Sequence, residues 1–215
     1  IPGAGSSTPA IWGDRVFVLA AFSPDKKSAP PPPPAPEQRP DGPPPGERPG
    51  GPRRGGSGGP GGFGGGEKPT EKYQYTLLCL DRNSGRTRWR KIAREQVPHE
   101  GRHRFNTFAS GSPVTDGQVV IAYFGSAGLF CYDLDGNLKW EKQLGQMRTR
   151  NGFGEGSSPA LHGDTVVVNW DDETDNDFIA AFDKHTGREL WRTARSEPTT
   201  WSTPLILGQG ARREV

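Results

Sequence analysis

The chain has 215 residues and a formal net charge of +2. This small charge gives no electrostatic argument for a nucleic acid or membrane partner, and we expect neither. No run of about 18 apolar residues occurs, so the sequence predicts no membrane-spanning helix.

The chain opens with a pattern of small residues, a proline and an apolar segment, and this pattern returns downstream. It is found at four places, residues 6–20, 110–124, 157–170 and 202–215. Pro113, Pro159 and Pro204 follow one another at intervals of 46 and 45 residues. Propeller blades repeat at roughly 40 to 50 residues, so the period predicts a repeated β-sheet unit.

Residues 28–69 interrupt the first repeat with a segment rich in proline and glycine. The segment holds 14 of the 22 prolines and 13 of the 31 glycines. A segment of this composition buries too little apolar surface to offset the entropy lost on ordering. We therefore predict a disordered insertion. A tolerated expansion of a surface loop is favoured. The alternative is a recognition segment, with PPPPP as ligand for an aromatic groove or RPGGPRRGG as contact to an anionic polymer.

A second repeated motif predicts tight hairpins. Each copy has a small residue, an apolar residue, Asp, a polar turn ending in Gly, and then Trp. The three copies are CLDRNSGRTRW at 79–89, CYDLDGNLKW at 131–140 and AFDKHTGRELW at 181–191. The glycine tolerates a positive φ and the aspartate can accept hydrogen bonds from the turn amides.

Each unit contains four short segments rich in β-branched and aromatic residues, without sustained helical periodicity. We predict an all-β fold: a β-propeller of four-stranded antiparallel blades, here an incomplete arc of about three blades. The predicted units are the start of the first blade at 1–27, its remainder at 70–108, the second blade at 109–156, the third at 157–201 and the start of a truncated fourth at 202–215. We expect an internal piece of a longer protein, whose remaining blades would be its partners.

Cys79 and Cys131 occupy equivalent positions in successive repeats. Such positions are too far apart for a disulfide, which needs Cα atoms within about 7 Å. We interpret the two cysteines as small buried hydrophobic residues, with a redox pair as the alternative.

The hairpin at 181–191 carries a family resemblance. It matches the tryptophan-docking pattern Ala-x-Asp-x-x-Thr-Gly-x-Glu-x-Trp at every fixed position. The chain resembles the pyrroloquinoline-quinone-like, or quinoprotein-type, repeat propellers, which include quinoprotein alcohol dehydrogenases and the scaffold propeller of bacterial outer-membrane protein assembly. The segment NTFASGSPVTDGQVVIAYFGSAGLFCYDLDGNLKWEKQLG at 106–145 looks like a group of uncharacterised exported bacterial propellers.

The resemblance implies structural roles for Trp89, Trp140 and Trp191, which would dock between neighbouring blades. Dehydrogenases of the family bind calcium beside the quinone through carboxylates and amides, and often carry two adjacent cysteines. The sequence has no Cys-Cys pair and no recognisable version of that site. We therefore assign no catalytic, cofactor-binding or metal-binding residue.

The strand order of a blade predicts which loops share a face. The loop between strands two and three opens on the same side as the connector from strand four to the next blade. The elements expected on this connector face are the insertion, the loops at 124–128 and 171–177, and the connectors at 101–111, 145–156 and 196–201. Because loops vary and a central channel opens there, we expect any function on this face.

The charged residues of this face have both signs. The basic residues are Arg102, His103, Arg104, Arg148 and Arg150, and the acidic residues are Asp171, Asp172, Glu173, Asp175 and Asp177. The acidic loop lacks the Gly and Glu that an EF-hand requires. A solvated hairpin tip is favoured over a calcium site.

Two histidines, a tryptophan and two asparagines also lie in or beside the connectors. His99 and His103 are interpreted as ordinary solvated histidines, since no helix is expected to bring them onto one metal-binding face. We expect Trp201 to pack against the next blade, with stacking on a sugar or a quinone as the alternative. Asn106 and Asn151 are polar candidates beside it, with no chemistry assigned.

The sequence thus predicts part of a non-catalytic propeller that serves as a rigid scaffold for protein or polysaccharide, and an enzyme is less favoured. The resemblance implies a periplasmic or extracellular location in a bacterium. The alternative is part of a dehydrogenase of alcohols or sugars that uses pyrroloquinoline quinone and calcium, with its active site in missing blades.

Overall fold

The computed structural model describes residues 3–24, 65–209 and 212–215. All of them belong to one structural unit, and the other unit spans residues 29–63, outside the described ranges. The described residues form fourteen β-strands and two short 3-10 turns, Gly125–Ala127 and Arg150–Gly152. Neither turn has the length or the apolar character needed to cross a membrane, and the described ranges contain no other helix.

Three four-stranded sheets follow one another along the chain, each ordered as in the sequence and fully antiparallel. The first sheet contains β1 (Ala10–Trp12), β2 (Arg15–Phe22), β3 (Tyr73–Asp81) and β4 (Thr87–Gln96). The second contains β5 (Val114–Thr115), β6 (Val119–Tyr123), β7 (Leu129–Asp133) and β8 (Leu138–Lys142). The third contains β9 (Ala160–His162), β10 (Thr165–Trp170), β11 (Phe178–Asp183) and β12 (Glu189–Ala194).

A two-stranded hairpin of β13 (Leu207–Gln209) and β14 (Arg212–Glu214) follows the third sheet. The predicted fold class, an incomplete arc of about three four-stranded blades, is confirmed. The insertion lies between β2 and β3, which remain paired from Arg15 and Asp81 to Phe22 and Gln74. The prediction of disorder covers residues 28–69, and it stays a prediction for residues 28–64, which lie outside the described ranges.

The apolar core lies in two layers between neighbouring sheets. One layer contains Phe17 and Leu77 of the first sheet with Phe130 of the second. The other contains Ile121 of the second sheet with Val166 of the third. Alternate residues of each strand face opposite layers, so the second sheet is buried on both faces.

The two cysteines are free thiols and fully buried, one in each layer. Burial raises the pKa of Cys131 to about 12. A protonated buried thiol is a poor nucleophile. The interpretation of Cys79 and Cys131 as buried hydrophobic residues is therefore confirmed.

The repeated hairpins have the predicted turn chemistry. Gly85, Gly136 and Gly187 have φ values of +68°, +82° and +69°. In the third hairpin, the Asp183 carboxylate accepts hydrogen bonds from the backbone N–H groups of His185 and Thr186. The aspartates of the other two hairpins accept bonds from their own turn amides in the same way.

The repeated tryptophans dock on the turn of the following blade. The Trp89 indole N–H donates to the Leu134 carbonyl at 3.0 Å, and the Trp140 indole N–H donates to the Lys184 carbonyl at 2.7 Å. These carbonyls belong to the residues after the turn aspartates. Trp191 has no such partner among the described residues, and it is 40% exposed. Interblade docking is thus found for two of the three tryptophans.

A second set of bonds links the first strands of successive blades. The Thr8 N–H donates to Ser112 Oγ at 2.9 Å, and the Ser112 N–H donates to Ser158 Oγ at 2.9 Å. The Ser158 N–H then donates to Thr203 Oγ1 at 3.2 Å. Each of these residues precedes a repeat proline, so the repeat places one hydroxyl per blade on a common line.

Replacing Gly187 by Ala tests the docking of tryptophan on the turn. A Cβ at this position would lie 2.7 Å from the Trp140 ring, whereas a Cβ at Gly85, with nearly the same φ, would meet nothing within 4 Å. We expect Gly85→Ala to lower the free energy of unfolding by about 1 kcal/mol through backbone strain alone. Gly187→Ala should lower it by about 2 to 4 kcal/mol, because the ring must also move.

Urea unfolding of the two variants and the parent measures this difference. Equal losses would mean that contact with the indole does not stabilise the turn.

Candidate functional site

The connector face is assembled by backbone hydrogen bonds between loops far apart in sequence. The Gly65 N–H donates to the Asn151 carbonyl and the Gly66 N–H to the Arg102 carbonyl, both at 2.7 Å. The His103 N–H donates to the Phe153 carbonyl at 2.9 Å. The end of the insertion and two connectors therefore lie together, which confirms the predicted shared face.

Glycine permits this close approach of backbones. A Cβ at Gly65 would lie 1.8 Å from the Gly152 carbonyl oxygen, and a Cβ at Gly101 would lie 1.8 Å from the Gly66 carbonyl oxygen. A larger residue at Gly65 or Gly101 would push the neighbouring backbone segments apart. Gly65 and Gly66 thus have fixed partners, contrary to the predicted disorder up to residue 69.

A narrow pocket opens between the connectors and the ends of the first two sheets, with a cavity volume of about 40 Å³. Its aromatic walls include Tyr75, Phe108, Phe124 and Trp201. Glutamates 100 and 155 supply its carboxylates, and none of the described residues lining it is a lysine or an arginine. The pocket is therefore aromatic and acidic.

Glu155 is the most constrained acid of this pocket. Its Oε2 accepts a hydrogen bond from the Ser126 N–H at 2.6 Å, and its Oε1 accepts one from the Ser126 hydroxyl at 2.5 Å. The side chain is 19% exposed. Gly125, with a φ of +55°, leaves room for the carboxylate, since a Cβ there would lie 1.4 Å from Oε2.

Burial raises the pKa of Glu155 to about 7, because a charged carboxylate loses solvation in the pocket. The two Ser126 hydrogen bonds oppose this shift, whereas the nearby charges of Glu100 and Asp172 add to it. The group therefore changes its charge near neutral pH.

His99 also lines the pocket. Its Nε2 lies 2.6 Å from the Met147 carbonyl oxygen and 3.9 Å from Glu155 Oε1. Because a carbonyl only accepts, Nε2 carries a hydrogen and donates it to Met147. The side chain is 17% exposed, so the interpretation of His99 as a solvated histidine is wrong.

His103 lies apart from this pair, in a row of rings on the connector face. Its ring centroid is 5.4 Å from that of Phe105 and 5.2 Å from that of Phe153. The Phe153 ring in turn lies 6.2 Å from Trp201. Phe105 and Trp201 are 67% and 42% exposed, so the row ends in two accessible aromatic side chains.

The acidic loop is not the solvated tip that we predicted. Asp171, Asp172 and Asp177 are all buried. The Asp171 carboxylate accepts hydrogen bonds from the Arg195 guanidinium at 2.8 Å and from the Thr200 hydroxyl. Sequence alone suggested exposure because the loop is charged, but its carboxylates bond the loop and its neighbours internally.

Asp172 and Asp177 fix the backbone of the same loop. The Asp172 N–H donates to Asp177 Oδ1 at 2.5 Å, and Asp172 Oδ1 accepts a bond from the Arg148 N–H at 3.0 Å. Glu173 and Asp175 remain exposed. Among the described residues, no group of three His, Cys, Asp or Glu side chains is arranged to hold a metal ion.

Trp201 lies at the mouth of the pocket. Its indole N–H donates to the Gly154 carbonyl at 2.7 Å, and its ring would be 3.1 Å from a Cβ at Gly156. Among the described residues, these contacts are with the preceding connector. The packing of Trp201 against the next blade stays a prediction.

The two asparagine candidates have different roles. The Asn106 amide donates to the carbonyls of Phe153 and Glu155 at 2.8 and 3.3 Å, so it holds one connector against the next. Asn151 is exposed and has a left-handed φ of +55°, and its backbone carbonyl accepts the bond from Gly65.

The arginines of the face are spread around the pocket rather than within it. The Arg102 guanidinium donates to the Asn106 carbonyl and lies 5.3 Å from the Phe108 ring centroid. Arg150 Nε lies 3.6 Å from Glu173 Oε1. Arg104 covers an exposed ring at 4.6 Å, and the Arg148 backbone bonds the acidic loop.

Sequence reasoning missed Glu155 and Ser126. Glu155 lies in a glycine-rich connector, GFGEG, and Ser126 lies in the short loop FGSAG. The loops were correctly placed on one face, but nothing in either loop alone indicated that a serine of one would hold a carboxylate of the other. The cluster of small residues around Glu155 was the available signal, since it leaves room for backbones and a buried side chain.

Comparison with known proteins adds a family to this geometry. Residues 74–210 match the family described as outer membrane protein assembly factor BamB. The chain belongs to this family. The BamB-family match covers the strands from β3 to β13 and the three connectors that line the pocket. No curated protein matches the chain.

Solved structures with similarity to this BamB-family chain include BamB from Moraxella catarrhalis, at 21% identity over 57% of this chain and 33% of that one, with a TM-score of 0.38. A europium-containing methanol dehydrogenase matches at 14% identity over 58% and 22%, with a TM-score of 0.39. The quinohemoprotein alcohol dehydrogenase ADHIIG from Pseudomonas putida HK5 matches at 18% identity over 57% and 19%, with a TM-score of 0.39. The chain thus spans a third or less of the length of these proteins.

The raised pKa of Glu155 predicts a pH-dependent stability. The folded protein binds the Glu155 proton more tightly than the unfolded chain, so this contribution is fully present below the usual glutamate pKa of 4.5 and is lost as pH rises through about 7. We expect the free energy of unfolding of the parent to fall, relative to that of Glu155→Gln, by up to about 3 kcal/mol between pH 4.5 and pH 7.5.

Urea unfolding across this pH range gives the curves, and Glu197→Gln serves as control because Glu197 is an exposed connector acid. The control should follow the parent. Parallel curves for the parent and Glu155→Gln would contradict the assignment.

Proposed function

We propose that the chain is part of a non-catalytic β-propeller, a rigid platform whose connector face binds a protein or polysaccharide in the bacterial envelope. The proposal rests on the observation that the repeated residues and the residues of the connector face have separate roles. The repeated residues bond one blade to the next, and the connector face presents exposed rings around a pocket. The family name, an outer membrane protein assembly factor, supports a protein partner and an envelope location, periplasmic or extracellular.

Rigidity of the connector face supports a platform. The Thr149 hydroxyl donates to Glu100 Oε1 at 2.5 Å, and the Arg150 N–H donates to Thr199 Oγ1 at 2.9 Å. Each bond joins a connector to residues about 50 positions away. A partner would therefore meet a preformed surface and lose little free energy in ordering it.

The exposed aromatic row supports binding. Phe105 and Trp201 end the row of rings that also includes His103 and Phe153. Exposed aromatic side chains on a rigid surface are typical of the anchor positions that dominate binding energies at interfaces. The same rings suit stacking on the apolar faces of sugars.

Further blades of a longer protein are the other partners that we propose. Trp191 and Leu190 lie on β12 and are 40% and 39% exposed, so they offer apolar surface to a following blade. By analogy with Trp140, the indole of Trp191 would dock on the turn of that blade.

The quinone expected from the alternative function does not fit the pocket. Pyrroloquinoline quinone is a tricarboxylate, and the described residues lining the pocket include Glu100 and Glu155 but no lysine or arginine. The described residues also offer no cluster of metal-binding side chains to neutralise the cofactor. The donor set therefore opposes this cofactor at this site.

Reconstitution tests this point. The full-length protein is titrated with pyrroloquinoline quinone in the presence of calcium, followed by absorbance and calorimetry. We expect no saturable binding at high micromolar cofactor, because an acidic pocket repels a tricarboxylate. Stoichiometric binding would return the protein to the dehydrogenase class.

Site-specific photocrosslinking in cells tests the platform itself. A benzoylphenylalanine at Phe105, on the connector face, should give one dominant adduct with an envelope protein, or a heterogeneous glycan adduct if the partner is a polysaccharide. The same probe at Leu138, 50% exposed on β8, is the control and should give none. Equal adducts at both positions, or none at either, would count against a connector-face platform.

A further inference from the structure

We infer that the pocket around Glu155 binds a cationic organic group, an alkylammonium or guanidinium, from the ligand of the connector face. The inference rests on the proposed function, because it names the chemistry of that ligand. The side chain of a lysine or arginine on a partner protein, and a free polyamine, share this chemistry.

The Glu155 carboxylate has no positively charged hydrogen-bond partner among the described residues. Glu155 accepts hydrogen bonds only from the N–H and hydroxyl of Ser126, both neutral donors, among the described residues. A carboxylate offers about four lone-pair positions, so acceptor capacity remains. Among the described residues, the group nearest to Glu155 that can carry a positive charge is His99, whose Nε2 lies 3.9 Å away and donates instead to the Met147 carbonyl.

Neighbouring negative charges also act on Glu155. Those of Glu100 and Asp172 favour its protonated form. The Glu100 carboxylate is itself held by neutral donors, the N–H and hydroxyl of Thr149. A cation in the pocket, beside Glu100 and Glu155, is attracted by both carboxylates.

The aromatic wall of the pocket also suits a cationic ligand. Tyr75, Phe108, Phe124 and Trp201 line it, and aromatic faces attract ammonium and guanidinium groups. The alkyl stem of such a ligand would pack along the same rings. An acidic end with aromatic walls thus selects a long side chain with a cationic tip over a bare metal ion, for which the described residues offer no ligand cluster.

The ligand must also enter from the face that the platform presents. Trp201 lies at the mouth and is 42% exposed, whereas Glu155 lies deeper and is 19% exposed. The exposed rings would hold the body of a partner while one cationic side chain reaches the acid. This arrangement is a pocket for a single anchoring residue.

Calorimetric titration of the full-length protein tests the inference with defined probes. The buffer contains about 150 mM NaCl, which is the physiological ionic strength. The probes are n-butylammonium, n-butylguanidinium, spermidine and the capped peptides Gly-Lys-Gly and Gly-Arg-Gly, with butyrate as the anionic control. We expect saturable binding of the cations and none of butyrate. Glu155→Gln should weaken cation binding at least about tenfold, and Glu197→Gln should leave it unchanged.

The parent protein alone supplies a second readout that survives a misfolded variant. Only ionised Glu155 should bind the cation, and with a pKa of about 7 the ionised fraction rises about thirtyfold from pH 5.5 to pH 8. Cation affinity should rise by a similar factor and then level off. Affinity that is flat over this range would overturn the role of Glu155.

The outcomes separate the two sources of the cation. Peptides that bind at least as tightly as the butyl probes indicate a partner side chain, and spermidine bound at least tenfold tighter than the peptides indicates a free polyamine. Absence of cation binding overturns this inference, even if crosslinks at Phe105 persist and the platform stands. Cation binding without connector-face adducts would support the cation pocket and contradict the proposed platform.

Discussion

The arrangement of blades depends on one type of hydrogen bond, which the repeat forms at both contacts between neighbouring four-stranded sheets. An indole N–H at the end of one hairpin donates to the backbone carbonyl just after the turn aspartate of the next. The aspartate accepts hydrogen bonds from the turn amides and the glycine leaves room for the ring, so the three residues that recur in each hairpin motif serve one kind of contact. The buried layers between sheets and the hydroxyl line along the first strands are built on the spacing that this contact fixes.

This division explains why the connector face is free to carry a site. The docking bonds lie at the turns between third and fourth strands, whereas the pocket lies among the connectors at the other ends of the strands. Residues such as Glu155 and Asp171 hold carboxyl groups largely away from water, which costs free energy. The blades and their docking contacts supply stability that offsets this cost.

Much of the fold could be predicted because its signals are local and repeated. The Asp, Gly and Trp of each hairpin recur at nearly constant spacing, and Cys79 and Cys131 inherit their burial from that register. The site could not be predicted in the same way. Ser126 and Glu155 come from loops 29 residues apart, and the aspartates at 171, 172 and 177 looked solvated because their bonding partners are distant backbone and hydroxyl groups.

The place of the insertion has a consequence for how such a protein can diversify. Strands β2 and β3 pair over eight residues each, up to Phe22 and Gln74, before the chain departs. The sheet therefore closes without reference to what lies between those two positions, and Gly65 and Gly66 return the chain against the connectors by backbone bonds alone. Length and composition of the inserted segment become variables that evolution can alter while the blade keeps its strand register.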